Sequence, residues 1–256
     1  MSTEKVETIH IGVDWMDRLL PEGFPIRTST VITGPGGSGK PLIGETVVSA
    51  WLREGGSVVF MSLQYPSRDF LLTSLRNVAG IDLSKYKGRV AFIQLDAGID
   101  SMEDVDEEGF RANLVKPEVW DAALERACAM VPDAGPGIMV FGSALNLLLF
   151  SPTYGEAILE RMRRTVAEDK SRTYLFSAST TAKREEIAVL EDAADNLIMS
   201  HSKKDPFRLY MRILRMKGVP FVSEEIEVPF PPAMLEEIKD VAEHSRRRVI
   251  PQISKI

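Results

Sequence analysis

A chain of 256 residues with 44% hydrophobic content is long enough to bury the core of one large α/β domain. Its 37 acids against 31 bases leave a net charge of −6, which removes the basic footprint of a dedicated nucleic-acid binder. A single cysteine, Cys128, excludes an intramolecular disulfide framework and any multi-cysteine metal site. No apolar run reaches the ~18 residues of a membrane span, and the opening MSTEKVETIH is too polar for a signal peptide, so a cytoplasmic protein is expected.

In chain order, GVDWMDRLLPEGFP spaces Val13, Met16, Leu19 and Leu20 as a short helix that Pro21 and Gly23 end. TSTVIT (28–33) reads as a strand running into a glycine-rich loop, and LIGETVVSAWLREGG as the helix behind it, stopped by Gly55 and Gly56. Further strands are SVVFMSL (57–63), RVAFIQL (89–95), GIMVFGS (137–143) and TYLFSAS (173–179). Helices fall between them at SRDFLLTSLRNVAG, PEVWDAALERACAMV and GEAILERMRRTVAEDK, the second placing Cys128 as a buried thiol. Residues 96–110 break this rhythm with a dense run of Asp and Glu and read as a solvated acidic loop, with a basic partner or a metal as the sharper alternative.

Towards the end, NLIMSHSKKDPFRLYMRILRMKG and FVSEEIEVPF look antiparallel, with a polar turn at SKKDP, and extend one edge of the sheet. The tail offers a helix from about 232 to 245, with Arg246, Arg247 and Arg248 at its end where cations suit the helix dipole. The fold class that follows is α/β: a mainly parallel twisted sheet with helices on both faces and an antiparallel C-terminal extension. The expected division is a domain over 1–230 and a helical tail over 231–256.

The stretch GPGGSGKP (34–41) falls one residue short of G-x-x-x-x-G-K-[ST], the loop that wraps nucleotide phosphates. Gly34, Gly36, Gly37, Ser38, Gly39 and Lys40 supply the donors of such a cradle: backbone N–H groups at a helix start and one ammonium. Pro41 stands where a hydroxyl should ligate Mg²⁺, and it lacks an N–H as well. It is also a good first-turn residue, since its fixed φ suits a helix start. One lost charge-assisted hydrogen bond weakens phosphate binding without forbidding it.

Taken in order, IHIGVDWMDRLLPEGFPIRTSTVITGPGGSGK, VVFMSLQ, GIMVFGSALNLLL and MRILRMKG resemble the KaiC-like branch of the RecA superfamily of P-loop ATPases, over about residues 8–230. The resemblance implies a RecA-like fold that binds ATP or ADP, and it exposes further departures. Gly142 stands at the family's strand-ending aspartate, which helps to hold Mg²⁺. Gln64 and Tyr65 stand at the glutamates that polarise the attacking water. Arg215 and Lys217 of RMKG match, with types exchanged, the basic pair by which family members reach a neighbouring subunit's nucleotide; ordinary solvent-facing strand residues are the equal alternative.

Ser177, Ser179 and Thr180 are polar candidates for the same pocket or simply turn formers, and Asp96 ends a strand near the cleft. His10, His201 and His244 form no local ligand set. RMRR (161–164) and RRR (246–248) read as exposed helical charge. The resulting expectation is a nucleotide- or phosphate-binding regulatory or assembly module with weak or absent Mg²⁺, little hydrolysis, and a homo-oligomer or a partner protein. An active Mg²⁺-dependent ATPase with replacement ligands from Ser38, Asp96 or a neighbour is one alternative. A recombinase-like DNA binder is another, and the net acidity counts against it.

Overall fold

Apolar runs that alternate between two faces set the architecture. The computed structural model describes residues 6–65, 67–203, 207–230 and 243–256. The chain enters through β1 (Thr8–Ile9), α1 (Asp14–Leu19) and β2 (Phe24–Pro25), the two strands forming a small antiparallel ribbon. It continues through β3 (Ser29–Gly34), α2 (Lys40–Arg53), β4 (Ser57–Ser62), α3 (Arg68–Ala79) and β5 (Val90–Leu95). Next come β6 (Met102–Asp106), β7 (Gly109–Ala112), α4 (Pro117–Ala129), β8 (Ile138–Gly142), α5 (Gly155–Glu168) and β9 (Thr173–Ser179). The series closes with α6 (Arg184–Ala193), β10 (Asn196–Lys203), β11 (Arg208–Arg215) and β12 (Ile226–Val228).

One ten-stranded sheet has the order β12-β11-β10-β3-β9-β8-β4-β5-β7-β6. Every pairing from β10 across to β7 is parallel, while β10–β11, β11–β12 and β6–β7 are antiparallel. This is the expected α/β arrangement, with its C-terminal antiparallel extension.

Strands buried on both sides divide their residues by parity. Val58, Phe60, Met139, Phe141 and Leu175 join α1, α2 and α3 in one core; Val59, Met61, Val140, Tyr174 and Phe176 join α4, α5 and α6 in the other. Cys128 lies in the second core, where burial pushes its thiol up to about 11 and leaves it a packing residue.

The acidic stretch is a loop only over 96–101 and at the turn between its two strands. Residues 102–112 form a β-hairpin at the sheet edge, and three arginines hold its carboxylates. Arg111 bonds Asp96 at 3.0 Å and Glu103 at 2.5 Å, Arg68 bonds Asp106 at 2.8 Å and also Glu108, and Arg126 pairs with Asp104. Charges on an edge strand also keep it from pairing with another chain.

Most of the helix expected over 232–245 lies outside the described residues, as do Lys204–Pro206 of the expected SKKDP turn. Beyond it, a π-helical turn (Ser245–Val249) and a closing helix (Ile250–Ile253) return to the body of the domain. Ile253 is fully buried in the second core, and the Ser151 hydroxyl donates to the Ile256 carbonyl at 2.6 Å.

Glycine at 34 is imposed by the sheet, because φ is +144° and a Cβ would stand 1.9 Å from the Ser200 carbonyl oxygen. Gly37, at φ +75°, faces nothing within 4 Å. In urea unfolding, Gly34→Ala should cost about 3 kcal/mol through backbone collision. Gly37→Ala should cost only about 1 kcal/mol, for its left-handed φ alone.

Candidate functional site

The loop between β3 and α2 is built so that its N–H groups converge. Gly39 caps the helix in the left-handed region at φ +70°, where a Cβ would stand 2.3 Å from Leu209 Cδ1. The Gly36 N–H donates to Thr181 Oγ1 at 2.8 Å. Among the described residues, no acceptor takes the N–H groups of Gly37, Ser38, Gly39 or Lys40. These donors, with the positive end of the α2 dipole behind them, suit a phosphate.

Lys40 is drawn inward. It is 6% exposed, and its ammonium donates to the Gly34 carbonyl at 3.0 Å, the Pro35 carbonyl at 2.7 Å and Ser38 Oγ at 3.1 Å. Burial without a carboxylate among these partners lowers its pKa to about 7. The Ser38 hydroxyl is engaged with the Pro35 carbonyl and with Ser200 Oγ, each at 2.8 Å.

The positions that would hold a metal do not supply its donors. Pro41 is the second residue of α2 and turns a ring towards the cleft. A Cβ on Gly142 would point at Phe176, 3.0 Å away, and at Leu145, 3.1 Å away, so it faces the second core. Asp96 is spent on Arg111 and does not line the cleft. Oxygen ligands in octahedral array, as Mg²⁺ demands, do not come together from these side chains.

Tyr65 has likewise been redirected. Its hydroxyl donates to Glu45 Oε1 at 2.5 Å, and Ser74 Oγ reaches the same carboxylate at 3.0 and 3.2 Å. Glu45 is fully buried in α2, so this network ties α2 to α3 and to the segment after β4. Gln64, 8% exposed, lines the cleft, and its buried Nε2 has no partner among the described residues.

Beside the loop lies a cavity of about 480 Å³, at the carboxyl ends of β3, β9, β8 and β4 where α/β sheets place their ligands. Ser177, Ser179 and Thr181 line it, whereas the expected Thr180 does not. Sequence reading missed several of its features. Ala144 holds a left-handed φ of 61° and donates its N–H to Ser177 Oγ at 3.3 Å, a strained turn at the cavity wall. Asn146 accepts the Ser179 N–H at 2.8 Å, and Ile250 of the closing helix supplies part of the far wall.

A profile of the KaiC ATPase family matches residues 9–230. The chain belongs to the KaiC ATPase family. The crystal structure of a KaiC-like protein, PH0186 of the archaeon Pyrococcus horikoshii, superposes with a TM-score of 0.64, covering 89% of this chain and 96% of that one. At 18% identity it bears on the fold alone. UPF0273 protein MK0039 of Methanopyrus kandleri is 36% identical over 59 residues, a stretch that spans 23% of each chain.

Arg215 and Lys217, expected to reach a neighbouring subunit, both make bonds within this chain. Arg215 donates to the Glu191 carbonyl and, at 2.7 Å, to the Ala194 carbonyl, satisfying the end of α6. Lys217 bonds Asp195 at 2.8 Å, and its side chain is 55% exposed. Because Arg215 pairs with Leu197, itself beside Val31, both lie towards the amino end of β3, away from their own phosphate loop.

His201 stacks on Tyr210 with centroids 5.3 Å apart, and no metal-ligating cluster joins it to another histidine among the described residues. In the 161–164 segment, Arg161 and Arg163 pair with Asp121 and Glu160 on the helical surface.

The inward-turned Lys40 gives anion binding a defined pH dependence. Above pH 7 the ammonium of the free protein is losing its proton, and a bound anion raises the pKa, so the complex binds more protons than the free protein. Affinity for sulfate, whose charge is constant here, should fall by up to about tenfold per pH unit as pH rises from 7 towards 9. Lys40→Met should flatten the profile; titration calorimetry across that range checks both.

Proposed function

We infer that the chain is a KaiC-family P-loop protein that binds ATP, ADP or phosphate weakly and without efficient hydrolysis, and that acts as a regulatory or assembly module. One observation carries the reading: an anion cradle with free N–H donors is bordered, on the side where a metal and a general base would stand, by Pro41, by a tyrosine committed to Glu45 and by no side chain at position 142. Binding needs only the cradle and Lys40. Hydrolysis needs an activated water and stabilisation of charge on the transferring phosphoryl group. Gln64 can orient a water but is a very poor proton acceptor at neutral pH.

A ligand that makes and breaks contacts in this loop changes the equilibrium between conformations without a chemical step. Lys40 must leave the Gly34 and Pro35 carbonyls to meet a phosphate, so the loop and the adjoining residues Ser200 and Thr181 would respond to occupancy. If copies of the chain assemble, Lys217 is the exposed member of the basic pair and the one free to exchange Asp195 for a neighbour's phosphate. A single, buried thiol suits a reducing compartment such as the cytoplasm.

Phosphate release from ATP should not exceed that of a Lys40→Ala control. ADP should raise the melting temperature equally with and without Mg²⁺. Turnover that Lys40→Ala abolishes, or stabilisation that strictly requires Mg²⁺, would sink this reading.

A further inference from the structure

The cavity beside the loop has a chemistry that the loop alone does not explain. Among the described residues that line it, Lys40 is the one charged side chain. Past the loop its walls become apolar: Leu42, Phe70, Leu147, Phe150 and Ile250, with the Tyr65 ring. Tyr65 and Phe70 stack at 5.9 Å between centroids, and the Tyr65 hydroxyl is bonded to Glu45. At about 480 Å³ the space lies within the ~300–1,000 Å³ typical of small-molecule sites.

One further polar group stands at the same end of the sheet. Gln64 lines the cavity, and among the described residues nothing bonds its buried amide nitrogen. A buried donor left unsatisfied is costly, so a small turn of the Gln64 side chain that brought its amide to a ligand oxygen would relieve that cost.

One ammonium matches a small anionic charge, and a hydrated Mg²⁺–triphosphate would lay several charges against Pro41, Leu42, Ala144 and Leu147. We propose that this site takes a metal-free phosphomonoester with an apolar or aromatic body, its phosphate on residues 36–40, its body against Tyr65, Phe70, Leu147 and Phe150, and the Gln64 amide donating to an oxygen where the two meet. The proposal rests on the inferred phosphate-binding role of the loop and adds the identity of what the phosphate carries. The closing helix contributes through Ile250, which shuts the cavity's far side.

The test compares three monoanion-to-dianion ligands of similar phosphate chemistry by titration calorimetry in EDTA: 1-naphthyl phosphate, AMP and inorganic phosphate. Burial of an apolar body should make naphthyl phosphate bind at least about tenfold more tightly than either of the others. Lys40→Ala should weaken naphthyl phosphate by at least about tenfold, since the charge-assisted contact is lost. Ile250→Ser, at a half-exposed position, should narrow the ratio of naphthyl phosphate to inorganic phosphate affinity, with circular dichroism confirming the fold. Equal binding of all three ligands overturns this proposal and leaves the phosphate-binding loop intact. Binding of none overturns both. Naphthyl phosphate binding that is indifferent to Lys40→Ala overturns the proposal too, by showing that the phosphate is not on the loop.

Discussion

The phosphate loop is clamped from the side by strands that have nothing to do with phosphate. The Ser200 carbonyl of β10 occupies the space a side chain at position 34 would need, and Leu209 of β11 does the same at position 39. Ser200 Oγ also holds the Ser38 hydroxyl from that side. The two outer glycines of the motif are therefore required by close packing of the antiparallel extension against the loop, whether or not a ligand ever binds. Position 41 is under a different demand. In the second residue of α2 no intrahelical bond uses its N–H, and proline's fixed φ is already helical, so the fold is satisfied by a residue that the chemistry cannot use. The shape of the loop and its chemistry are thus set by separate constraints.

The same separation runs along the rim of the cleft. Tyr65 has exchanged a role in the cleft for one in the core, where its hydroxyl and Ser74 satisfy a fully buried carboxylate on α2. A Cβ on Gly142 would stand 3.0 Å from Phe176 and 3.1 Å from Leu145, so those side chains would have to give by a few tenths of an ångström. Each substitution closes off a polar function and gains packing. At these positions the groups beside the loop are therefore apolar or already bonded. Restoring a single oxygen ligand would leave it facing an apolar wall.

The architecture was legible because it depends on short-range pattern. Apolar runs such as SVVFMSL and GIMVFGS, bounded by turn residues, are central parallel strands, and the strand, glycine loop and helix around residues 28–53 are a local signal. The acidic segment was misread for a reason of the opposite kind. A charged edge strand looks like a loop until its partners are known, and Arg68 lies 38 positions before Asp106 while Arg126 lies 22 positions after Asp104. The site was half legible. Lys40 and the glycines are contiguous, but the Tyr65 bond to Glu45 spans 20 positions and joins two elements. The direction of a Cβ at Gly142 and the wall formed by Ile250 are properties of packing, which no local pattern encodes. Thr181 in place of Thr180 shows the finest limit, since a one-residue difference in a turn decides which hydroxyl meets Gly36.

The strength of any phosphate complex is set by an exchange, not by an empty socket filling. Lys40 already has three oxygen partners within the loop, and burial has made its charged form less favourable. A phosphate must draw the ammonium away from two carbonyls and one hydroxyl, and those carbonyls then need water or another donor. The net gain from the phosphate is the difference between similar hydrogen bonds, plus the Coulombic term that carbonyls cannot match. Where that difference is small, selectivity passes to the rest of the ligand. The part of the cleft able to discriminate is then the apolar wall, because it offers area and shape where the loop offers only a generic anion site. For a phosphate-bearing ligand bound as proposed, Phe70, Leu147 and Phe150 are therefore the residues that would choose what the phosphate is attached to.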